Sequence, residues 1–368
     1  NYFCNNVFCL CLKMRENSLD DLLEQLALPA KVSADVWRAL LTELGDEEKL
    51  QLAQKARGVA QLQFGKGVYV RALIEISSYC RNNCNYCGLR CSNKMAQRYR
   101  LTKEEILECC CQAAELGFNT FVLQGGEDLQ QSDGWLADVV AAIRAKFPSK
   151  AITLSVGERS MEGYSLLRSA GADRYLLRHE TADSAHYSHL HPVNMSLENR
   201  LHCLENLKAL GYQVGNGMMV GSPGQTVEHL VKDLMLLDGL QPQMIGIGPF
   251  IPAAGTPFEG ELPGGVDDTL LLISLLRMRF PRALIPATTA LATLCYDGTQ
   301  RAVLAGANVV MPNFTPLHCR AKYSIYNNKK SNGSESAQQL DLLAAKLDEI
   351  GYHVDFARGD YNETKYGK

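Results

Sequence analysis

The sequence lacks a surplus of positive charge. Lys and Arg number 37 against 40 Asp and Glu in 368 residues, a formal net charge of −3 and a pI near 6.3. Nothing in that balance draws in nucleic acid or an anionic membrane surface. The sequence also lacks any apolar run approaching a membrane span. It is not poor in apolar residues, which make up 46%, or overloaded with charged ones, at 21%. Disorder, collagen and coiled coil are excluded as overall descriptions. A chain of this length buries roughly three quarters of its extended surface, enough for a core without covalent staples.

A disulfide pattern is also missing. The 13 cysteines are an odd number, so any pairing scheme leaves one over. A core this large needs no staples, and the composition points to a reducing compartment. Spacing is uneven. Cys80, Cys84, Cys87 and Cys91 crowd one segment; Cys109, Cys110 and Cys111 are consecutive and read as small buried hydrophobes, because three adjacent helical residues cannot face one partner. Asn1–Lys13 has no initial methionine and no arginine-rich amphipathic pattern. It reads as an upstream segment, with Met14 as a natural start.

From Met14 to residue 66 the apolar periodicity predicts two or three helices, an N-terminal extension. From 67 to 326, strand-like runs alternate with amphipathic helices. The strands are expected at Val68–Ile76, Thr120–Leu123, Ala151–Val156, Arg174–Leu177, Gln213–Val220, Met244–Ile247, Leu284–Ala287 and Asn308–Met311. Eight such units predict an α/β fold, a (βα)8 TIM-type barrel, with an open doubly wound sheet as the rival. Residues 327–368 read as a polar loop and a final helix near Gln338–Ile350. In a barrel, chemistry belongs at the strand C-termini. Polar and glycine residues collect there, as in Gln124–Asp128, Ser155–Glu158, Arg178–Thr181 and Gly221–Thr226.

Cys-x3-Cys-x2-Cys follows the first expected strand. A closed zinc site wants a fourth ligand, typically from a second pair, and no second pair with that spacing lies downstream. Three cysteines suit a cubane iron–sulfur cluster, leaving its fourth iron open to a ligand's amine and carboxylate. Cys91 stands four residues on and reads as structural, with a fourth-ligand role as the alternative.

This triplet, with Tyr86 before its last cysteine, resembles the signature of the radical S-adenosylmethionine (SAM) enzymes. The segments YCRNNCNYCGLR, DRYLLRHET, MVGSPGQT, GIGPFIP, PATTA and ANVVMPNFTP resemble the HydE family of [FeFe]-hydrogenase maturases, related to methylornithine synthase and biotin synthase. The resemblance implies a [4Fe–4S] cluster on Cys80, Cys84 and Cys87. It places SAM beside Tyr86, Gly125, Gly126, Glu127, Ser155, Glu180 (ribose) and Arg200 (methionine carboxylate), with Gly221–Thr226 near the adenine. It further implies a barrel cavity lined by Arg71, Thr153, Arg178, Met244, Thr288, Thr289, Met311, Tyr323 and Tyr326. The implied substrate is a cysteine-bound iron carbonyl–cyanide complex. The implied partners are other hydrogenase maturases and an electron donor such as ferredoxin or flavodoxin, with no nucleic acid and no membrane. The expected setting is the cytoplasm of an anaerobe, or an organelle such as a hydrogenosome. A radical SAM amino-acid mutase or sulfur-insertion synthase is the alternative, and a non-catalytic iron–sulfur carrier a third. Plainer readings stand beside these: an interior ion pair for Arg178, a helix cap for Thr288–Thr289, core packing for Met244 and Met311, a hydrogen-bonded buried ring for His179. Two departures from the family are visible. Past Met311 only Cys319 remains, so no second cluster is expected, and Gly125 stands where serine is common.

Overall fold

The computed structural model describes residues 18–329 and 340–361. The readings of Asn1–Lys13 and Met14, and those of the loop at 330–336 and the helix start at 338–339, lie outside the described residues.

Three helices come first: Leu19–Ala27, Ala34–Thr42 and Asp46–Phe64. Ser18 and Ser33 cap the first two through their hydroxyls. Leu19, Leu22, Leu23 and Leu26 form one buried stripe. Arg279, at the end of helix Val266–Arg279, donates to the carbonyls of Leu26 and Ala30 at 2.9 Å each. It also pairs with the buried Asp238, whose other oxygen accepts from the Val32 amide at 2.9 Å. One buried ion pair thus docks the extension onto the helices around the barrel.

The first barrel strand is formed by Gly67–Val70 (β1) and Ala72–Ser77 (β2). Thr120–Gly125 (β3), Ala151–Ser155 (β4), Arg174–Leu176 (β5), Gln213–Asn216 (β6), Met219–Val220 (β7), Met244–Ile245 (β8), Gly248–Pro249 (β9), Val309–Val310 (β10) and His353–Asp355 (β11) follow. A six-stranded parallel ladder runs β2-β3-β4-β5-β6-β8. Single bridges Met244↔Leu284 and Pro286↔Val309 carry the ring on, and β10 pairs with β1 to close it. The expected seventh strand, Leu284–Ala287, forms only these bridges, because Pro286 has no N–H to give a ladder. The expected strand Gln213–Val220 divides into β6 and β7 around Gly217, whose φ of +154° takes it out of line. A Cβ there would lie 2.0 Å from the Gly246 carbonyl oxygen. Short helices at Ser184–Leu190, Thr289–Leu294 and Leu317–Arg320, and the strand β11, were not expected. In helix Lys103–Glu115, Cys109 and Cys110 are buried as expected, whereas Cys111 is only half-buried on the helix flank.

Strand alternation sorts the side chains into two sets. Ala72, Ile74, Ile76, Phe121, Leu123, Ile152, Leu154, Tyr175 and Val214 join the core shared with the surrounding helices. The intervening residues face the barrel axis, and many are polar: Arg71, Glu75, Gln124, Thr153, Arg174 and Arg178. A barrel of this size normally fills its axis with branched apolar side chains. Here the axis, the chamber of the barrel, is lined by polar and charged side chains instead.

The chamber has a floor. β11 pairs in parallel with β1, Gly67 opposite His353, at the N-terminal end of the strands. The chain then crosses beneath the ring. Thr120 Oγ1 donates to the Arg358 carbonyl at 2.9 Å, and Arg174 Nη2 donates to the Gly359 carbonyl at 3.1 Å and to Asp360 Oδ1 at 2.8 Å. The strand C-termini form the mouth.

Candidate functional site

The cysteine loop leaves β2 and folds over the mouth. The Arg81 amide donates to the Glu127 carbonyl at 2.9 Å, and the Gly88 amide to the Ile325 carbonyl at 2.9 Å. Gly126 permits this closeness: a Cβ on it would lie 2.2 Å from the Tyr79 carbonyl oxygen and 2.7 Å from Cys80 Cβ. Gly125 is under no such constraint, since its nearest neighbour would be Ile76 Cγ1 at 3.2 Å.

Cys84 is buried among Tyr187, Met195 and Leu197, with Tyr86, Cys87 and Leu201 beside them. Burial pushes all three thiols up, Cys87 to about 12, and the thiols then raise one another, Cys84 through Cys87 and Cys80. Three thiolates held this way need a positive centre between them. No three His, Cys, Asp or Glu side chains among the described residues are gathered to hold a single metal ion. The donor set fits three corners of an iron–sulfur cluster better than one zinc ion. Cys91 is exposed.

Around the thiols the structure gathers the other expected mouth residues. Tyr86 O–H donates to His191 Nε2 at 3.2 Å, because His191 Nδ1, 3.0 Å from the Tyr187 carbonyl, must carry the ring proton. Burial first, and the nearby Arg200 cation second, push His191 down to about 3, so the ring is neutral. Arg200 is buried, pairs with Glu158 Oε1 at 2.5 Å and donates to the Arg178 carbonyl. Glu127 is held by Arg81 at 2.9 Å, and its Oε1 accepts from the Glu158 amide at 2.9 Å. Glu180 pairs with Arg178 at 2.6 Å and sits at φ +66°, a left-handed conformation that a non-glycine residue holds only where its surroundings impose it. The Gly221–Thr226 turn is tied by Gln225, which accepts from the Gly221 amide and donates to the Met219 carbonyl. A polar cleft of about 480 Å³ opens beside Glu127, with Arg81, Glu158 and Asn199 in its lining.

Inside the chamber, Arg71, Thr153, Arg178, Met244, Thr288 and Met311 all lie on axis-facing positions, as does Ser155 at the mouth end of β4. Four buried polar atoms there have no hydrogen-bond partner: Arg71 Nε, Thr153 Oγ1, Arg178 Nε and Thr288 Oγ1. Interior charges are otherwise matched: Arg174 with Asp360, Arg178 with Glu180, Glu75 with Lys329. Among the described residues, Arg71 reaches only Met244 Sδ at 3.4 Å and the Gly359 carbonyl at 3.5 Å. Burial, with the Arg174 cation adding to it, pushes its guanidinium well below its usual range. Among the described residues, the chamber therefore carries one cation with no carboxylate paired to it and several polar groups without a partner.

Thr288 precedes helix Thr289–Leu294 as a cap would, yet its side chain makes no cap bond. His179 bears out its plain reading, buried between Asn216 Oδ1 at 2.9 Å and Asp233 Oδ1 at 3.1 Å. Tyr323 and Tyr326 lie on the segment that follows helix Leu317–Arg320, and Tyr323 O–H accepts from Gln124 Nε2 at 3.3 Å. Sequence reasoning placed Arg81 and Glu158 at the strand ends without a role, and missed His191, Glu75 and Lys329 as members of the site. Glu75 was findable, as a carboxylate on the axis-facing register of an otherwise apolar strand; His191 and Lys329 come from loops that carry no such signal.

A family model described as the radical SAM superfamily matches residues 74–237. The [FeFe] hydrogenase maturase subunit HydE of Thermotoga maritima is 47% identical over 265 residues, 72% of this chain and 75% of that protein. The 3-methylornithine synthase of Methanosarcina acetivorans is 31% identical over 319 residues, 84% and 89% of the two chains. The crystal structure of methylornithine synthase (PylB) superposes with a TM-score of 0.78 at 27% identity, covering 92% of this chain and 98% of that one.

Proposed function

Because this chain belongs to the radical SAM superfamily, and within it to the HydE family of [FeFe]-hydrogenase maturases, we propose that its chamber takes a cysteine-bound iron complex carrying carbon monoxide and cyanide. The observation that carries this reading is the set of vacant donors around the uncompensated Arg71. Cyanide nitrogens and carbonyl oxygens are acceptors without protons, and an anionic complex would neutralise the buried cation.

Cys80, Cys84 and Cys87 would hold the [4Fe–4S] cluster. When bound, cluster and SAM together supply a 5′-deoxyadenosyl radical by one-electron cleavage. The residues of this chain position and enclose. Glu127 would take the methionine amine and Arg200 the carboxylate, its planar fork suited to that partner. Glu180 would take the ribose hydroxyls, and the Gly221–Thr226 turn the adenine. The Tyr86 hydroxyl, spent on His191, leaves the ring as an apolar wall beside the thiols. The floor at Gly359–Asp360 and the ring of strands exclude water, so a reactive species meets only the substrate. Other hydrogenase maturases as donors and acceptors of the iron unit, and a one-electron protein as reductant, complete the proposal.

The test is anaerobic. The reconstituted protein, given a reductant, SAM and a synthetic iron–cysteine carbonyl–cyanide complex, should yield a substrate-derived adenosyl–sulfur adduct by mass spectrometry, and Cys84→Ala should yield none. Retained SAM cleavage in Cys84→Ala overturns the cluster assignment. Slow 5′-deoxyadenosine without an adduct returns the substrate to the amino-acid mutase reading.

A further inference from the structure

Lys329 lies far outside the strands, yet its ammonium reaches Glu75 on the barrel's first strand at 2.5 Å. The Glu75 side chain is fully buried and that of Lys329 nearly so. The other carboxylate oxygen accepts from Asn313 Nδ2 at 3.0 Å. A buried carboxylate without a cation is costly, so this pair is held tightly once formed. The Lys329 ammonium also stands 5.3 Å from the centroid of the Tyr323 ring. Tyr323 is gripped from the other side by Gln124, which faces Glu75 across the β2–β3 ladder.

The chain from Ala321 to Lys329 is thereby a strap across the mouth. Further anchors are two backbone contacts and one side-chain amide. The Ile325 carbonyl accepts from Gly88 on the cysteine loop, the Asn327 amide donates to the Pro252 carbonyl at 2.9 Å, and Asn327 Oδ1 accepts from the Ala254 amide at 2.8 Å. Gly88 has to be a glycine for this contact, since a Cβ would meet the Ser324 carbonyl oxygen at 2.1 Å. The strap carries Tyr323 and Tyr326. It touches the cluster loop at one point and the chamber wall at another.

We propose that Lys329 and Glu75 are positioning residues for the reaction. Their ion pair latches the strap so that Tyr323 closes the chamber over the substrate, and opening the latch uncouples SAM cleavage from substrate modification. This deepens the reading above and rests on it. Among the described residues, neither side chain touches the thiols, Glu127 or Glu180, so the latch acts through Tyr323 and the strap.

Lys329→Met leaves Glu75 buried and unpaired, and loss of fold is a possible confusion. The double variant Glu75→Gln/Lys329→Met removes both charges, which restores electrostatic balance. If the pair positions Tyr323, the double variant recovers the thermal midpoint of the parent but still releases about tenfold more 5′-deoxyadenosine per adduct formed. Lys329→Arg should bring that ratio back towards the parent. In the substrate-free protein, amide hydrogens of 321–329 should exchange at least tenfold faster in the double variant, with those of the cysteine loop unchanged. Parent-like coupling and exchange in the double variant would overturn the latch and leave a stability pair only. The exchange measurement needs no substrate: if the parent forms no adduct, the substrate reading fails while the latch is still judged by exchange.

Discussion

At the scale of single residues, the mouth shows how burial decides chemistry. His191 lies close to a thiol set and has the residue type of a metal ligand. Its ring is instead committed at both nitrogens, to Tyr187 and Tyr86, and is stacked on Tyr187 at 3.9 Å. Its proton affinity has a consequence for stability. An unfolded histidine takes up a proton below about pH 6.5, whereas the folded one does so only near 3. Between those values the unfolded state binds more protons, so folding stability falls as pH drops, by about 2 kcal/mol at pH 5. His186, also lowered by burial, adds to the slope. Urea midpoints of the cluster-free chain at pH 7 and pH 5 should differ accordingly, and His191→Gln should flatten, not abolish, the difference.

At the scale of elements, the cysteine loop and the turn after β3 are built as one unit. Gly126→Ala forces the loop carrying Cys80 outward, because both the Tyr79 carbonyl and Cys80 Cβ stand in the way. Its iron content after anaerobic reconstitution should fall several-fold, while Gly125→Ser, which meets Ile76 Cγ1 at 3.2 Å and no backbone atom closer than 3.6 Å, should retain the parent value. Equal iron in the two variants would show that the loop does not depend on that approach. The cysteine triplet was legible in the sequence, because its fixed spacing has few physical uses; the glycine pair read as turn chemistry on its own and entered the site only through the family resemblance. The eight βα units were legible for the same kind of reason, since periodicity switches between 2 and 3.6 along the chain. What could not be read were features set by distant partners. Leu284–Ala287 looks like a strand by composition but has a proline where the ladder needs a donor. β11 is three residues long and takes its partner, β1, from the far end of the chain. Lys329 has no pattern around it to distinguish a latch from a surface lysine.

At the scale of the whole molecule, the barrel is a vessel with polar walls, a strapped mouth and a floor supplied by its last described residues. The floor carries charge balance as well as closure. Arg174 is fully buried, and Asp360 is the one carboxylate paired with it among the described residues. Asp360→Asn leaves that cation without a counter-charge. The cost should be about 2 kcal/mol in urea denaturation, below the 3–5 of a fully buried pair because Asp360 keeps about a third of its side chain in water. Arg174→Met added to Asp360→Asn should recover part of the loss; no recovery would mean that the carbonyl contacts of Gly359 and Arg358, not charge, hold the floor.

β1 has a further property when the chain is considered in time. Among the described strands it is the first to leave the ribosome, and its two neighbours, β10 and β11, are the last. At 5–20 residues per second, its edges wait roughly 15–60 s for their partners. Through that interval the nascent ring stays an open sheet with two bare edges, and the thiols, made early, stand in solvent before any wall can shelter them. A factor that covers the β1 edge through that interval would guard the cysteines as well.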